Sequence, residues 1–236
     1  MFGTNNTVST SFPISLKNLL GSWPVAVSLS LVLLPVITHS AASLSLWLFI
    51  THIVFCSYFV FKNQLVKRKQ ILKFDYLSHT FFNGLLAGLV LWVILSLILN
   101  PVLNHLTGVM TNYVKFNVLR HNIPLTLKAT AGMWLTAAIG EEIIFRGFLL
   151  DRFIQLSGNK YLPILISSLL FSLIHFYQGT NGVVTTFVAG VLFGLLYLRS
   201  DKNLLLLILS HGFTDTMFFA SVCFNYDATF LISRLF

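Results

Sequence analysis

The chain is expected to be all-α, a polytopic bundle of membrane-spanning helices, on three observations. It is 56% hydrophobic and only 9% charged, where a soluble domain carries about 25% charged residues. Its mean hydropathy is +0.83. Its Leu/Val/Ile runs and 23 phenylalanines recur at lengths that suit lipid. A soluble core large enough to bury them could not be wrapped by 236 residues. The length fits one domain, 1–236.

A span needs roughly 20 apolar residues. The runs that qualify are about 22–38, 42–61, 80–103, 130–151, 161–178, 182–199 and 203–223, seven in all. The stretch 104–126 would add an eighth only as a re-entrant or interfacial segment, because it carries Lys115, Arg120, His105 and His121. The first run follows a polar Asn/Ser/Thr stretch. "THSAAS" after it could mimic a signal cleavage site, but a second apolar run follows at once, so the first is read as a retained span. Pro163 lies at the start of the fifth run, where a missing N–H costs least. Gly190 and Gly194 form a GxxxG that lets helix backbones approach. Such a pattern more often packs helices within a chain than builds a dimer, and the oligomeric state stays open.

The net charge is +8 and the pI about 9.7. No basic stripe interleaved with exposed aromatics accompanies it, so nucleic-acid binding is disfavoured. The charge concentrates in "KNQLVKRKQILKF", with Lys62, Lys67, Arg68, Lys69 and Lys73. By the positive-inside rule this loop, about 62–79, is cytoplasmic. An anionic-lipid or partner site is the rarer reading. Seven spans then put the N-terminus inside, with Arg152, Lys160, Arg199 and Lys202. Lys115, Arg120, Lys128 and Arg234 fall outside. Cys56 and Cys223 are isolated in apolar runs, with no CxxC, and read as packing residues.

Against this background "AAIGEEIIFRG", Ala137 to Gly147, stands out. Glu141 and Glu142 are the chain's only glutamates. A charged group at the middle of a span costs about 2.5–3.5 kcal/mol on insertion scales, so it implies a partner, water or a function. Glu142 and Arg146 are four apart, on one helix face. Glu141 lies about 100° around the helix, unpaired by that spacing and free to aim elsewhere. Two carboxylates this close in a low-dielectric site repel, and a carboxylate poised near neutrality suits general-base work. In "FSLIH", Phe171 and His175 are four apart. In "HGFTD", so are His211 and Asp215, and a carboxylate there can orient the imidazole.

Each feature alone has a bland reading. A Glu–Arg pair can be structural glue, and a lone His on an apolar face is more often packed than functional. His39, His52, His79, His105 and His121 receive that reading, since nothing in the sequence accompanies them. Three polar clusters in three spans, near one depth, exceed what packing needs. HExxH, GxGD (beside Tyr226–Asp227) and GxSG motifs are absent, which disfavours zincin, presenilin-like and rhomboid-like arrangements.

Together, "EEIIFR", "FSLIH" and "HGFTD" resemble the EExxxR, FxxxH and HxxxN/D motifs of the CPBP family, the CAAX-protease and bacteriocin-processing membrane proteases. They cover about a third of the chain and define a motif-bearing part at about 130–223. The resemblance implies an intramembrane endopeptidase acting on a membrane-associated peptide or protein. Glu141 would be the general base, His175 would bind or polarise the water, and Glu142 and Arg146 would shape the site. His211 and Asp215 would lie beside the oxyanion. Asp215 departs from the Asn of the prenyl-protein proteases: an ionised Asp cannot donate a hydrogen bond, so Asp215 would be protonated, orient His211 or ligate a metal.

Glu141, His175, His211 and Asp215 could alternatively hold zinc. The family has been described both as metallo- and as glutamate-dependent, and the lack of a close ligand pair tips the expectation towards direct Glu/His activation. The expected setting is a prokaryotic cytoplasmic membrane, with pheromone or bacteriocin processing or immunity ahead of prenyl-CAAX cleavage. The rivals are a non-catalytic membrane scaffold or immunity protein and a proton-coupled transporter.

Overall fold

The computed structural model describes residues 22–38, 42–64 and 77–226. These are helical, with no strand among the described residues. Lys67, Arg68, Lys69, Lys73, Arg234 and His39 lie outside the described residues. Helices occupy all seven apolar runs. They are α1 Trp23–Thr38, α2 Ala42–Gln64, and α3 Leu77–Trp92, which continues through a π-helix, Val93–Leu99, into α4 Asn100–Thr107. After the 3-10 helix Val114–Leu119 comes a second continuous rod: α5 Ile123–Met133, a π-helix Trp134–Leu150, and α6 Asp151–Ser157. Then follow α7 Tyr161–Leu173, the 3-10 turn Phe176–Gln178, α8 Gly179–Arg199 and α9 Leu204–Cys223. Leu77–Thr107, Phe176–Arg199 and Leu204–Cys223 are long and apolar enough to cross a membrane.

Local chemistry explains several boundaries. Asn122 caps the second rod, its side chain accepting from the Leu125 N–H at 3.1 Å, and Asn203 caps α9 on Leu206 in the same way; both use the preferred N-cap side chain. Gly158, at φ +64°, ends α6 in the left-handed conformation that helix ends favour. Pro101 lacks the N–H that an α-helix interior requires. The winding in the preceding turn is π, and the Asn100 N–H reaches back to the Leu95 carbonyl, so the rod passes the proline without breaking. The fifth run is shorter than its hydropathy suggests. Its α-helix stops at Leu173, and His175 sits at a bend (φ −98°, ψ 12°) rather than within a helix.

Contacts fix the directions. Ser28 meets His52 and Trp23 meets Phe59, so α1 and α2 are antiparallel. A Cβ at Gly140 would collide with Ile53, and one at Gly147 would press on Val60, so α2 runs parallel to the second rod. The GxxxG of α8 packs within the chain: a Cβ at Gly190 would come 2.9 Å from the Ser168 Cα, and one at Gly194 3.0 Å from Ile164, making α7 and α8 antiparallel. In α3, Gly84 abuts Leu209 and Gly88 abuts Phe213, so α3 and α9 are parallel. The rods thus alternate up and down. Lys62, Arg152 and Lys202 share one end, where Lys202 pairs with Asp151, and Lys115, Arg120 and Lys128 share the other.

The second rod is the centre of the bundle. Every residue from Glu141 to Leu150 is buried, so this stretch has no lipid-facing stripe. His52 packs, as expected, and is buried with a partner that the sequence did not disclose. Its Nε2 lies 2.7 Å from Ser28 Oγ, a polar tie between α1 and α2. Cys56 and Cys223 are free and buried.

Candidate active site

Glu141, near the middle of the central rod, sits in π-helix. The i→i+5 winding is rare and recurs at functional sites. Glu142 and Arg146 pair as their spacing predicts, Nη1 to Oε1 at 2.8 Å, with both side chains withdrawn from the surface (0% and 2% exposed). The guanidinium is held further. Its Nη2 donates to the Gly190 carbonyl at 3.3 Å, and its carbon lies 4.5 Å from the Phe171 ring centroid and 5.2 Å from that of Phe193. Arg suits such a dry clamp because its planar cation both forks and stacks.

His211, from α9, ties the clusters together. Its Nδ1 lies 2.8 Å from Glu142 Oε1. Its Nε2 faces Asp215 Oδ2 at 3.4 Å and Glu141 Oε2 at 3.9 Å. The ring stacks on Phe193, centroids 5.0 Å apart. Both nitrogens therefore face carboxylate oxygens, which suits a ring that donates on both sides. Asp215 faces His211 as the i,i+4 spacing predicted, but the closer partner is Glu142, on another helix.

His175 is oriented by its own backbone. Nδ1–H donates to the Phe171 carbonyl at 2.9 Å, which leaves the lone pair of a neutral ring on Nε2. The Phe171 and His175 rings touch, centroids 4.9 Å apart. Glu141, His175, His211 and Asp215 line one cavity of about 210 Å³. Glu141 Oε2 is buried there without a protein hydrogen-bond partner. Glu142 and Arg146 stand behind the cavity rather than in its wall, bracing His211.

Sequence reading missed the rim. Tyr113 and Phe116, from the segment 108–122, and Tyr177 and Gln178, just after His175, line the same cavity. The segment is tied down at both ends. The Asn112 N–H donates to the Gln178 carbonyl at 2.9 Å, and Thr111 Oγ1 donates to Asn100 and Asn104. At the far end the His121 N–H reaches the Cys223 carbonyl at 2.9 Å. The residue is exposed overall, yet the Lys115 ammonium rests 3.2 Å from the Tyr177 ring centroid and 4.8 Å from that of Phe116. Loss of water around it pulls Lys115 down to about 8, against the opposing pull of Glu141. Tyr177, two residues after His175, was the available signal.

Zinc was the alternative that the sequence left beside direct Glu/His activation. Among the described residues no group of three or more His, Cys, Asp or Glu side chains could hold a metal ion, and that includes Glu141, His175, His211 and Asp215.

Residues 123–217 match the family model described as type II CAAX prenyl endopeptidase Rce1-like. That range contains all three motifs, and the resemblance to the CPBP/CAAX proteases drawn from them is borne out there. The match supports a protease, and with the apolar helices a membrane protein. No curated protein and no solved structure matches the chain.

Proposed function

We propose that this chain is an intramembrane endopeptidase that hydrolyses a peptide bond with a water activated by Glu141 and His175. One observation carries the reading: Glu141 Oε2, buried and without a protein partner, opens on a cavity that His175 and His211 also line. A water hydrogen-bonded to Glu141 and to His175 Nε2 would lose its proton to the carboxylate while its oxygen attacks the scissile carbonyl carbon. The tetrahedral intermediate collapses when the C–N bond breaks and Glu141 returns the proton to the leaving amine. His211 would face the developing charge, held in place by Glu142, which Arg146 fixes in turn. No metal is required in this scheme.

In this reading the helices make seven passes, with the basic end cytoplasmic. The rim residues Tyr113, Phe116 and Tyr177 belong to the opposite end, with Lys115. Substrate would therefore enter from the non-cytoplasmic side, as an exported or outer-leaflet peptide would. This favours processing of a secreted peptide precursor in a prokaryotic membrane over cleavage of a cytoplasmic prenylated C-terminus.

The test is a comparison of membrane peptide profiles from cells carrying wild type, Glu141→Gln and His175→Ala. A product present in wild type and missing from both variants is expected. Glu141→Gln is close to isosteric, so a profile identical to wild type, with normal protein levels, would return the chain to the scaffold class.

A further inference from the structure

Asp215 leaves a gap in the chemistry. Its Oδ2 faces His211 Nε2 at 3.4 Å, and a carboxylate oxygen that accepts there is not the donor that a developing oxyanion needs. Another group in the same cavity can. Tyr177 follows His175 by two residues, with ring centroids 6.0 Å apart, and lines the cavity with Glu141 and Asp215, both within electrostatic reach of its hydroxyl.

Its surroundings direct its proton. Gln178 Nε2 donates to the Tyr177 hydroxyl oxygen at 3.0 Å, and among the described residues no protein acceptor takes the hydroxyl proton. Gln178 is itself fixed. It is buried, its N–H bonds the His175 carbonyl and its carbonyl accepts from Asn112, both at 2.9 Å. The Lys115 ammonium over the ring face withdraws electron density from it and makes the hydroxyl a stronger donor. A donor oriented before reaction is what stabilises charge as it appears.

We infer that the Tyr177 hydroxyl donates the hydrogen bond that stabilises the tetrahedral oxyanion, replacing the donor that Asp215 cannot be, with Gln178 as a positioning residue. This rests on the peptidase reading above. No bond to the protein forms: the hydroxyl keeps its proton and shares it while the intermediate exists.

The test uses the full chain in phosphatidylethanolamine/phosphatidylglycerol vesicles, with two probes. One is a quenched fluorescent peptide spanning the bond that wild-type cells cut in the membrane peptide comparison above. The other is the phosphinate of the same peptide, whose tetrahedral anion mimics the intermediate. Tyr177→Phe keeps the ring under Lys115 and should melt with wild type. It is expected to lose about 100-fold in kcat, the order expected for one such donor, with KM within roughly threefold and phosphinate affinity reduced in step with kcat. Gln178→Leu should lose about tenfold in kcat with KM held, since the hydroxyl then rotates; it decides the matter if Tyr177→Phe fails to fold.

Normal kcat and phosphinate binding in Tyr177→Phe, with Glu141→Gln inactive, overturn the inference and leave the peptidase reading intact. So does a loss that moves to Tyr113→Phe instead. Where wild type binds the phosphinate without cleaving the peptide, phosphinate affinity alone decides. A wild type that neither cleaves nor binds overturns both.

Discussion

Glu142 Oε1 accepts from two helices at once, from Arg146 on its own rod and from His211 Nδ1 on α9, each at 2.8 Å. The carboxylate is the joint between a buried cation and the imidazole that faces the cavity. Removing one partner of a buried pair costs about 3–5 kcal/mol, because the other charge is left unpaired. Arg146→Met should therefore lower the melting temperature of the purified protein sharply. Glu142→Gln/Arg146→Met should melt well above the sum of the single losses, since neither charge then remains stranded. Additive losses would show that the pair does not act as a unit.

The same joint marks the limit of what the sequence could disclose. Spacing of four places side chains on one face of one helix, so Glu142–Arg146 and His211–Asp215 were legible, as was the confluence of three polar clusters. The Glu142–His211 contact is tertiary, its partners 69 positions apart in the sequence, and no periodicity encodes it. Nor does composition reveal hydrogen-bond register, so the π winding of Trp134–Leu150 was invisible. Seven hydrophobic runs predicted seven rods, but Ser28 meets His52 only because α1 and α2 pack. The rim was missed because 108–122 has the charges of a solvated linker, and its value comes from folding back over Tyr177.

Orientation decides which substrates reach the cavity. Cys56 and Cys223 are buried, so a membrane-impermeant maleimide should ignore the parent chain. Val118 is 63% exposed, at the rim end. Lys160 is exposed at the basic end. In intact cells Val118→Cys should label and Lys160→Cys should not, and permeabilising the cells should expose Lys160→Cys. The reverse pattern would put the cavity mouth in the cytoplasm and restore a cytoplasmic substrate.

Lys115 gives the pH dependence. Its ammonium faces the Tyr177 and Phe116 rings and feels the Glu141 carboxylate, with Tyr113 two residues away on its own segment. The folded-state value of about 8 lies below the roughly 10.4 of a free lysine. The folded protein therefore binds fewer protons than the unfolded chain between these values. The cost of the desolvated cation is borne in full below about 8 and is relieved as pH rises towards the free-lysine value, so stability should rise slightly across that window. Activity should move the other way, because the cation behind Tyr177 is lost there: kcat should fall as pH passes about 8. Lys115→Arg should carry the alkaline limb beyond the measurable range, since guanidinium stays charged. Lys115→Met should remove the limb and lower the plateau severalfold. A limb unchanged in Lys115→Met would assign it to another group and detach Lys115 from the chemistry.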